Sequence, residues 1–262
     1  MKPVPFTKAT ACGNDFLIID DQHAPGDIAE FTRRICDRHN GVGADGVEWV
    51  SHVKDADAAI RLINSDGSEA EISGNGTRCV AAYLAAPAGP DTLNIKTGAG
   101  VKICKLVSWN GNRFEFETAM GQPKLNGPLR LELASGKIAG MQVSMGNPHF
   151  VVITDEIAAN WREYAAQIQA HRTFSEGVNV EFVRAVGTHA VEVRFFERGA
   201  GETQSSGTGS CAAAIAAISA AKVSSPVSVH APGGTQIVRW EDGQVFLRGP
   251  AQIICTGEYF AG

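Results

Sequence analysis

The chain has 262 residues, 44% hydrophobic and 19% charged, with a formal net charge of -5. That balance supplies core for one large domain or two ordinary ones and excludes a disordered chain. Neither half carries the basic run that nucleic-acid binding requires, and the longest apolar run, Ala212 to Ile218, falls well short of the roughly 18 residues of a membrane span, so neither nucleic acid nor membrane is an expected partner.

The start, Met1-Lys2-Pro3-Val4-Pro5, lacks the apolar core of a signal peptide. Cysteines stand at 12, 36, 79, 104, 211 and 255. Their spacing gives no CxxC or Cys/His pattern, so no metal site is expected, and they read as reduced thiols of a cytoplasmic protein.

In chain order, the first predicted strand is Phe16–Asp20, preceded by Gly13-Asn14-Asp15. A helix is predicted from Asp27 to His39, with Ile28, Phe31 and Ile35 on one face. Strands follow at Val47–Val50 and Ala59–Asn64, then the motif Ser73-Gly74-Asn75-Gly76 opening an alanine-rich helix, then strands at Val101–Val107 and Arg113–Thr118. The second half repeats this order 133 residues later. Gly146-Asn147-Pro148-His149 precedes the strand Phe150–Thr154, and a helix runs from Asn160 to Arg172 with Trp161, Tyr164 and Ile168 on its apolar face. Strands at Val180–Val183 and Val191–Glu197 lead to Ser206-Gly207-Thr208-Gly209 and the apolar helix Cys211 to Ala221, with strands at Gln236–Trp240 and Gln244–Arg248 beyond. Near Thr97-Gly98-Ala99-Gly100 and His230-Ala231-Pro232-Gly233 the match loosens and slips by about one residue.

Five matches in order at one offset imply an internal duplication. The expected fold is α/β (α+β): two pseudo-symmetric domains related by an approximate two-fold axis with the site between them, each a curved sheet or barrel wrapped around a central helix. The predicted boundaries are 1–120, with a tail at about 252–262 packed on that half, and 121–251.

Each serine motif points backbone N–H groups of a helix start at whatever lies in front, a place suited to a carboxylate or phosphate. A dinucleotide reading of Gly207-Thr208-Gly209 fails for want of an acidic residue roughly 20 positions on, since the stretch between Glu202 and Glu241 holds no Asp or Glu. Nine residues before Ser73 stands Asn64; nine before Ser206 stands Glu197, followed by Arg198. Divergence at matched positions suggests an asymmetric ligand, with Arg198 suited to a carboxylate. Asn14, Asn147 and Asn179 are loop residues that serve equally well as turn formers.

Asn64-Ser65-Asp66-Gly67-Ser68-Glu69-Ala70-Glu71-Ile72-Ser73-Gly74-Asn75-Gly76-Thr77-Arg78-Cys79 resembles the first signature of the diaminopimelate epimerase family, and Glu197-Arg198-Gly199-Ala200-Gly201-Glu202-Thr203 with Ser206-Gly207-Thr208-Gly209 resembles the second. Gly13-Asn14-Asp15-Phe16, Gly41-Val42-Gly43-Ala44-Asp45-Gly46 and Gly146-Asn147-Pro148-His149 are similar to further family segments. The resemblance implies a cofactor-free isomerase interconverting LL- and meso-diaminopimelate in lysine and peptidoglycan biosynthesis. It implies that the reacting carboxylate sits on the N–H groups at Gly74-Asn75 and Gly207-Thr208, that Asn64, Asn179 and Arg198 hold the distal amino-carboxylate, and that Asn14, Asn147 and Glu197 complete the pocket. A family position that is often glutamine is Gly46 here, so no contact carries over there. A homodimer is common among similar proteins.

One departure matters: in the family, positions 73 and 206 are both cysteine, one thiolate removing the α-proton while the other thiol delivers one. A helix N-terminus makes a thiol a usable base; a serine hydroxyl is far less acidic, and neither motif holds a histidine or lysine to activate it. The expectation is therefore an impaired epimerase. The serines read as an engineered pair that holds substrate without turnover, as native residues of a slow member or one with another substrate, or as the mark of a non-catalytic protein binding dicarboxylic amino acids. Another racemase or isomerase of the superfamily, of the proline or phenazine-pathway type, is the related enzyme alternative; Arg198 with Asn64 and Asn179 speaks for a second head group that proline lacks. Cys79 and Cys211 read as core residues inside their helices, and Cys12 as the one other thiol near the pocket.

Overall fold

A computed structural model describes residues 3–85 and 90–260. Met1 and Lys2 of the leader reading, and 261–262 of the expected tail, lie outside the described residues. The chain divides into two compact units, Met1–Thr118 with Gly249–Gly262, and Ala119–Arg248.

Unit 1 is built from β1 (Val4–Ala11), β2 (Asn14–Asp20), α1 (Ile28–Cys36), β3 (Gly46–Ser51), β4 (Ala58–Asn64), β5 (Glu69–Ala70), α2 (Gly74–Ala85), β6 (Thr92–Thr97), β7 (Gly100–Asn110) and β8 (Arg113–Gly121). Unit 2 carries β9 (Lys124–Leu133), β10 (Gly136–Ser144), β11 (Pro148–Ile153), α3 (Trp161–Gln169), β12 (Asn179–Gly187), β13 (Ala190–Glu197), β14 (Gly201–Thr203), α4 (Gly207–Ser219), β15 (Val227–Ala231) and β16 (Gly234–Glu241). Two strands cross the boundary: β8 ends in unit 2 with Ala119 to Gly121, and the long β17 (Gln244–Tyr259) begins in unit 2 and ends in unit 1.

Around unit 1 the pairings run β1–β2–β3–β4–β6–β7–β8–β17 and return to β1, a closed eight-stranded barrel. Its interior is filled by α2: Cys79, Val80, Ala81, Ala82 and Ala85 pack against Phe16, Ile18, Val50, Leu62, Ile95, Phe114 and Phe116. Alanines suit this place because strands crowd the helix on every side and leave no room for longer side chains. Period-two alternation sends the other face of β2 and β3 outward, where Leu17, Ile19, Val47 and Trp49 meet Phe31 and Ile35 of α1. These strands are therefore apolar on both faces. The helix predicted to His39 stops at Cys36, where Asp37 turns its carboxylate to the backbone N–H groups of His39 and Asn40 at 2.8 and 2.7 Å.

Unit 2 repeats the plan. Its ladder runs β9–β10–β11–β12–β13–β15–β16–β17. Val143, Val151, Val183, Val191, Phe195, Val229, Val238 and Leu247 line the interior around α4, while α3 packs outside through Trp161, Ala165 and Ile168. A buried valine or phenylalanine is worth about 1.5–3 kcal/mol, so these walls supply most of what orders the helix.

The duplication is visible in the registers. Phe16 faces Gly46 as His149 faces Asn179; Val47 faces Ile63 as Val180 faces Phe196; Leu62 faces Ala70 as Phe195 faces Thr203. Each pair is offset by 133. Farther on, Ala58 faces Ile95 while Val191 faces Val229, a slip of one residue on the second strand, where the sequence match loosens.

Candidate functional site

Of the expected site residues, Asn14, Ser73, Gly74 and Asn75 lie at the start of α2, and Asn147, Ser206, Gly207 and Thr208 at the start of α4. In unit 1, Ser73 caps α2: its Oγ accepts from Gly76 N at 3.1 Å and its carbonyl from Thr77 N at 2.8 Å. Gly74 is exposed and Asn75 is buried behind it. In unit 2, Ser206 has extended backbone (φ -144, ψ 128) and its Oγ accepts from Gly209 N at 3.1 Å, with Gly207 and Thr208 half-buried at the helix start. A serine cap satisfies one of the N–H groups that a helix start leaves unpaired. The remaining N–H groups and the helix dipole leave a local positive potential at each end.

A directional hydrogen-bond chain orders the unit 1 end. Arg78, 3% exposed, donates to Asn75 Oδ1. Asn75 Nδ2 donates to Asn14 Oδ1 at 2.7 Å, and Asn14 Nδ2 to Asp45 Oδ2 at 3.0 Å. Arg38 Nη2 donates to the other Asp45 oxygen at 2.7 Å. A cation at one end and a carboxylate at the other fix which way both amides point. Arg78 also donates to Pro250 O at 3.3 Å and lies 3.8 Å from Cys12 Sγ. These acceptors are all neutral, so the guanidinium adds to the potential of the helix start. Cys12 takes a left-handed conformation (φ 47), and burial raises its thiol pKa against the pull of Arg78. Burial raises Cys79 as well; it and Cys211 are fully enclosed in their helices.

The unit 2 end uses different partners at matched positions. Asn147, the counterpart of Asn14, donates through Nδ2 to Thr208 Oγ1 at 3.3 Å, where unit 1 has Asn75. Its Oδ1 is then left to accept from His149 Nε2 at 3.0 Å. His149 Nδ1 meets Glu181 Oε1 at 2.7 Å, and both side chains are fully buried. With Nε2 carrying a proton, Nδ1 and Glu181 share one more between them. Burial raises the Glu181 pKa, partly offset by His149.

Each serine motif rests on a buried glutamate. Glu48 and Glu181 are both 0% exposed. A Cβ on Gly76 would lie 3.0 Å from Glu48 Cδ and 3.3 Å from Ser73 Cβ, with Glu48 Oε1 nearer still. A Cβ on Gly209 would lie 3.0 Å from Glu181 Oε1 and 2.9 Å from Ser206 Oγ. The second glycine of each motif thus makes room for a carboxyl. Burial pushes Glu48 up to about 8.

The residues expected to hold a distal head group are less uniform. Asn179 is buried, donating to Pro148 O at 3.2 Å and accepting from Arg198 N at 2.9 Å. Arg198 is exposed; its stem lies over Gly177 and Nη1 donates to Glu176 O at 2.8 Å. Asn64 donates to Ser68 Oγ at 3.0 Å, and Glu197 is half-buried at the end of β13. A cavity of about 390 Å³ in unit 1, lined by Trp109, Arg113, Phe114 and Gln252 among others, includes none of the expected site residues. Among the described residues no cluster of His, Cys, Asp or Glu has metal-binding geometry, and no helix is long and apolar enough to cross a membrane.

A family model described as diaminopimelate epimerase matches residues 6–125 and 141–254, taking in both helix starts. The chain belongs to the diaminopimelate epimerase family. It is 36% identical over 274 residues to a diaminopimelate epimerase of Pelotomaculum thermopropionicum, covering 97% of this chain and 98% of that one. It is 37% identical over 274 residues to one of Desulforudis audaxviator, covering 97% and 98%. Among solved structures, a phenazine biosynthesis protein of the PhzF family from Bacillus anthracis shares the fold with a TM-score of 0.73 at 16% identity, covering 100% of both chains. A hydroxyproline epimerase from Agrobacterium vitis gives 0.67 at 16% identity, covering 98% of this chain and 91% of that one.

Four residues at these helix starts had no role in the sequence reading: Glu48, Arg78, His149 and Glu181. The signal for the two glutamates was present. Val47-Glu48-Trp49-Val50 and Val180-Glu181-Phe182-Val183 each place an acid inside an apolar strand, at the same offset as the serines. The motifs themselves hold no activating group; the fold brings a carboxyl to each of them from a neighbouring strand.

Proposed function

We propose that this chain is a cofactor-independent amino-acid epimerase acting on diaminopimelate, with Ser73 and Ser206 at the two proton-transfer positions and turnover slowed by their being hydroxyls. Inverting a stereocentre needs one group to remove the α-proton and another to supply one. The observation that carries this reading is the pair of serine caps, each at the start of a helix enclosed by strands, in a chain matched by the family model over both units. Backbone N–H groups at Gly74-Asn75 and Gly207-Thr208 receive the reacting carboxylate and stabilise charge as the proton leaves. Asn14, Asn64, Asn147, Asn179, Glu197 and Arg198 bind the remainder of the substrate.

A hydroxyl is a poor base at neutral pH, and general acid–base catalysis is typically worth ~10²–10⁴-fold. Ser73→Cys with Ser206→Cys is therefore expected to raise α-proton exchange of LL- or meso-diaminopimelate in deuterated water by at least that factor. Either single change restores little inversion, since each face needs its own group. If the unaltered chain epimerises diaminopimelate at a rate the double change does not improve, the serines are competent bases. Tight binding with no exchange in either form instead makes the chain a binding protein.

All six cysteines are free thiols, which supports a cytoplasmic setting. Val101, Ile103, Val107 and Trp109 form an exposed apolar row on β7, which supports self-association as a homodimer. Sedimentation equilibrium checks the dimer; a single monomeric species removes it.

A further inference from the structure

Glu48 is a buried carboxyl that the proposed reaction does not use. Neither of its oxygens has a hydrogen-bond partner among the described residues. Its register neighbours across the ladder, Ile18 and Leu62, are apolar. It shares a strand face with Val50, which packs in the interior with α2, so its side chain is directed at the first turn of that helix. There it fills the space beside Gly76, within reach of the same point as Ser73 Cβ. The ionisable groups of α2 are Arg78, Cys79 and the exposed Tyr83, and the Cys79 thiol is raised chiefly by burial and in part by the charge of Glu48. A buried polar group without a partner destabilises the fold, and a leucine would fill the same wall without that cost.

We propose that Glu48 is a positioning residue for the proton at Ser73: the two side chains are not hydrogen-bonded at rest, and when a rotation of Ser73 or Glu48 closes that gap the carboxylate accepts the Ser73 hydroxyl proton as Ser73 Oγ takes the α-proton of the substrate, and returns it in the reverse direction. In that step the Cα–H bond breaks and its electron pair stays on carbon, delocalised into the substrate carboxylate. A new O–H bond forms at Ser73, the old hydroxyl proton passes to Glu48, and one negative charge moves from Glu48 to the substrate. The inference rests on the function proposed above. Because burial pushes Glu48 up to about 8, the accepting form becomes available as pH rises through that value, and exchange by the unaltered protein rises with it.

A thiol at position 73 reports on the coupling without any substrate. In the full-length Ser73→Cys protein, alkylation of the introduced thiol by iodoacetamide is followed from pH 6 to 10, the modified position being identified by mass spectrometry. Above about pH 8 a charged Glu48 opposes the thiolate, so alkylation is about tenfold slower than in Ser73→Cys with Glu48→Gln, one pKa unit being tenfold in thiolate. The Glu48 form titrates in two steps and the Gln form in one. Glu48→Leu, which keeps the packing apolar, gives the same result as Glu48→Gln. Superimposable profiles with Glu, Gln and Leu at position 48 overturn the proposal. Since no diaminopimelate is used, failure of α-proton exchange in the double-cysteine protein overturns the function above without altering this outcome.

Discussion

Glu48 and Glu181 occupy one structural position twice, each on the inward face of a strand, against the second glycine of its serine motif, but among the described residues only Glu181 has a histidine partner. The counterpart of His149 in unit 1 is Phe16, which packs against the interior helix instead.

Glu48 makes stability fall with pH. Its folded pKa, about 8, lies above the ordinary carboxyl value of 4.5. Between those values the unfolded chain has released the proton and the folded chain still holds it. The stability is thus fully present below about 4.5, drains away across the interval and is gone above about 8, at most roughly 5 kcal/mol in all. Urea unfolding at pH 5, 7 and 9 should show this decline and Glu48→Gln should flatten it. Parallel curves for the two proteins mean that Glu48 ionises freely.

The glycines of the first motif should respond unequally. A Cβ on Gly74 meets nothing within 4 Å, whereas one on Gly76 collides with the Glu48 carboxyl. Gly74→Ala is expected to leave stability within about 0.5 kcal/mol of the parent, and Gly76→Ala to cost about 1–3 kcal/mol. Combining Gly76→Ala with Glu48→Ala should recover much of that loss, a coupling read directly from the double-mutant cycle. Equal effects at the two glycines argue against the collision.

His149→Phe copies the residue of the first unit and removes the partner of Glu181. Breaking a buried pair from one side costs about 3–5 kcal/mol where the survivor stays charged; burial already raises the Glu181 pKa, so Glu181 can take up a proton and the loss should be smaller at acid than at alkaline pH. Thermal unfolding across the pH range tests this, and a loss independent of pH refutes it.

Arg198→Ala separates recognition from folding. The guanidinium is exposed and donates to the Glu176 carbonyl at 2.8 Å. Its removal should change stability by no more than about 0.5 kcal/mol. Diaminopimelate affinity by calorimetry should nevertheless drop by roughly tenfold or more, the worth of a charged hydrogen bond. Unchanged affinity takes Arg198 out of recognition.

Much of this architecture was legible because the chain states it twice. Gly74 and Gly207 open their helices at the shared offset, and α1 and α3 begin and end on matched residues. What escaped was long-range or weakly patterned. In β9 Leu129, Leu131 and Leu133 do alternate with Arg130 and Glu132, but Gly127-Pro128 before them reads as a turn, and in β10 Gly136 and Gly140 break the apolar pattern. The predicted strand Gln244–Arg248 continues to Tyr259 because β1 is waiting to pair with its second half, a partner more than 240 residues distant that no local pattern announces. Arg78 and Glu48 escaped because charge inside an apolar run usually marks a surface; only the closed barrel shows that these two point inward.

The return of β17 to β1 also orders events during synthesis. Val4 pairs with Tyr259 and Thr10 with Gln252, so the first barrel lacks a stave until the second half of β17 has left the ribosome. Unit 2, from Ala119 to Arg248, is uninterrupted in sequence and has all its own strands by then. A nascent chain halted just before Gly249 would hold a nearly complete inner unit flanked by an earlier, still open one, whose exposed strand edges are the part a chaperone would have to cover.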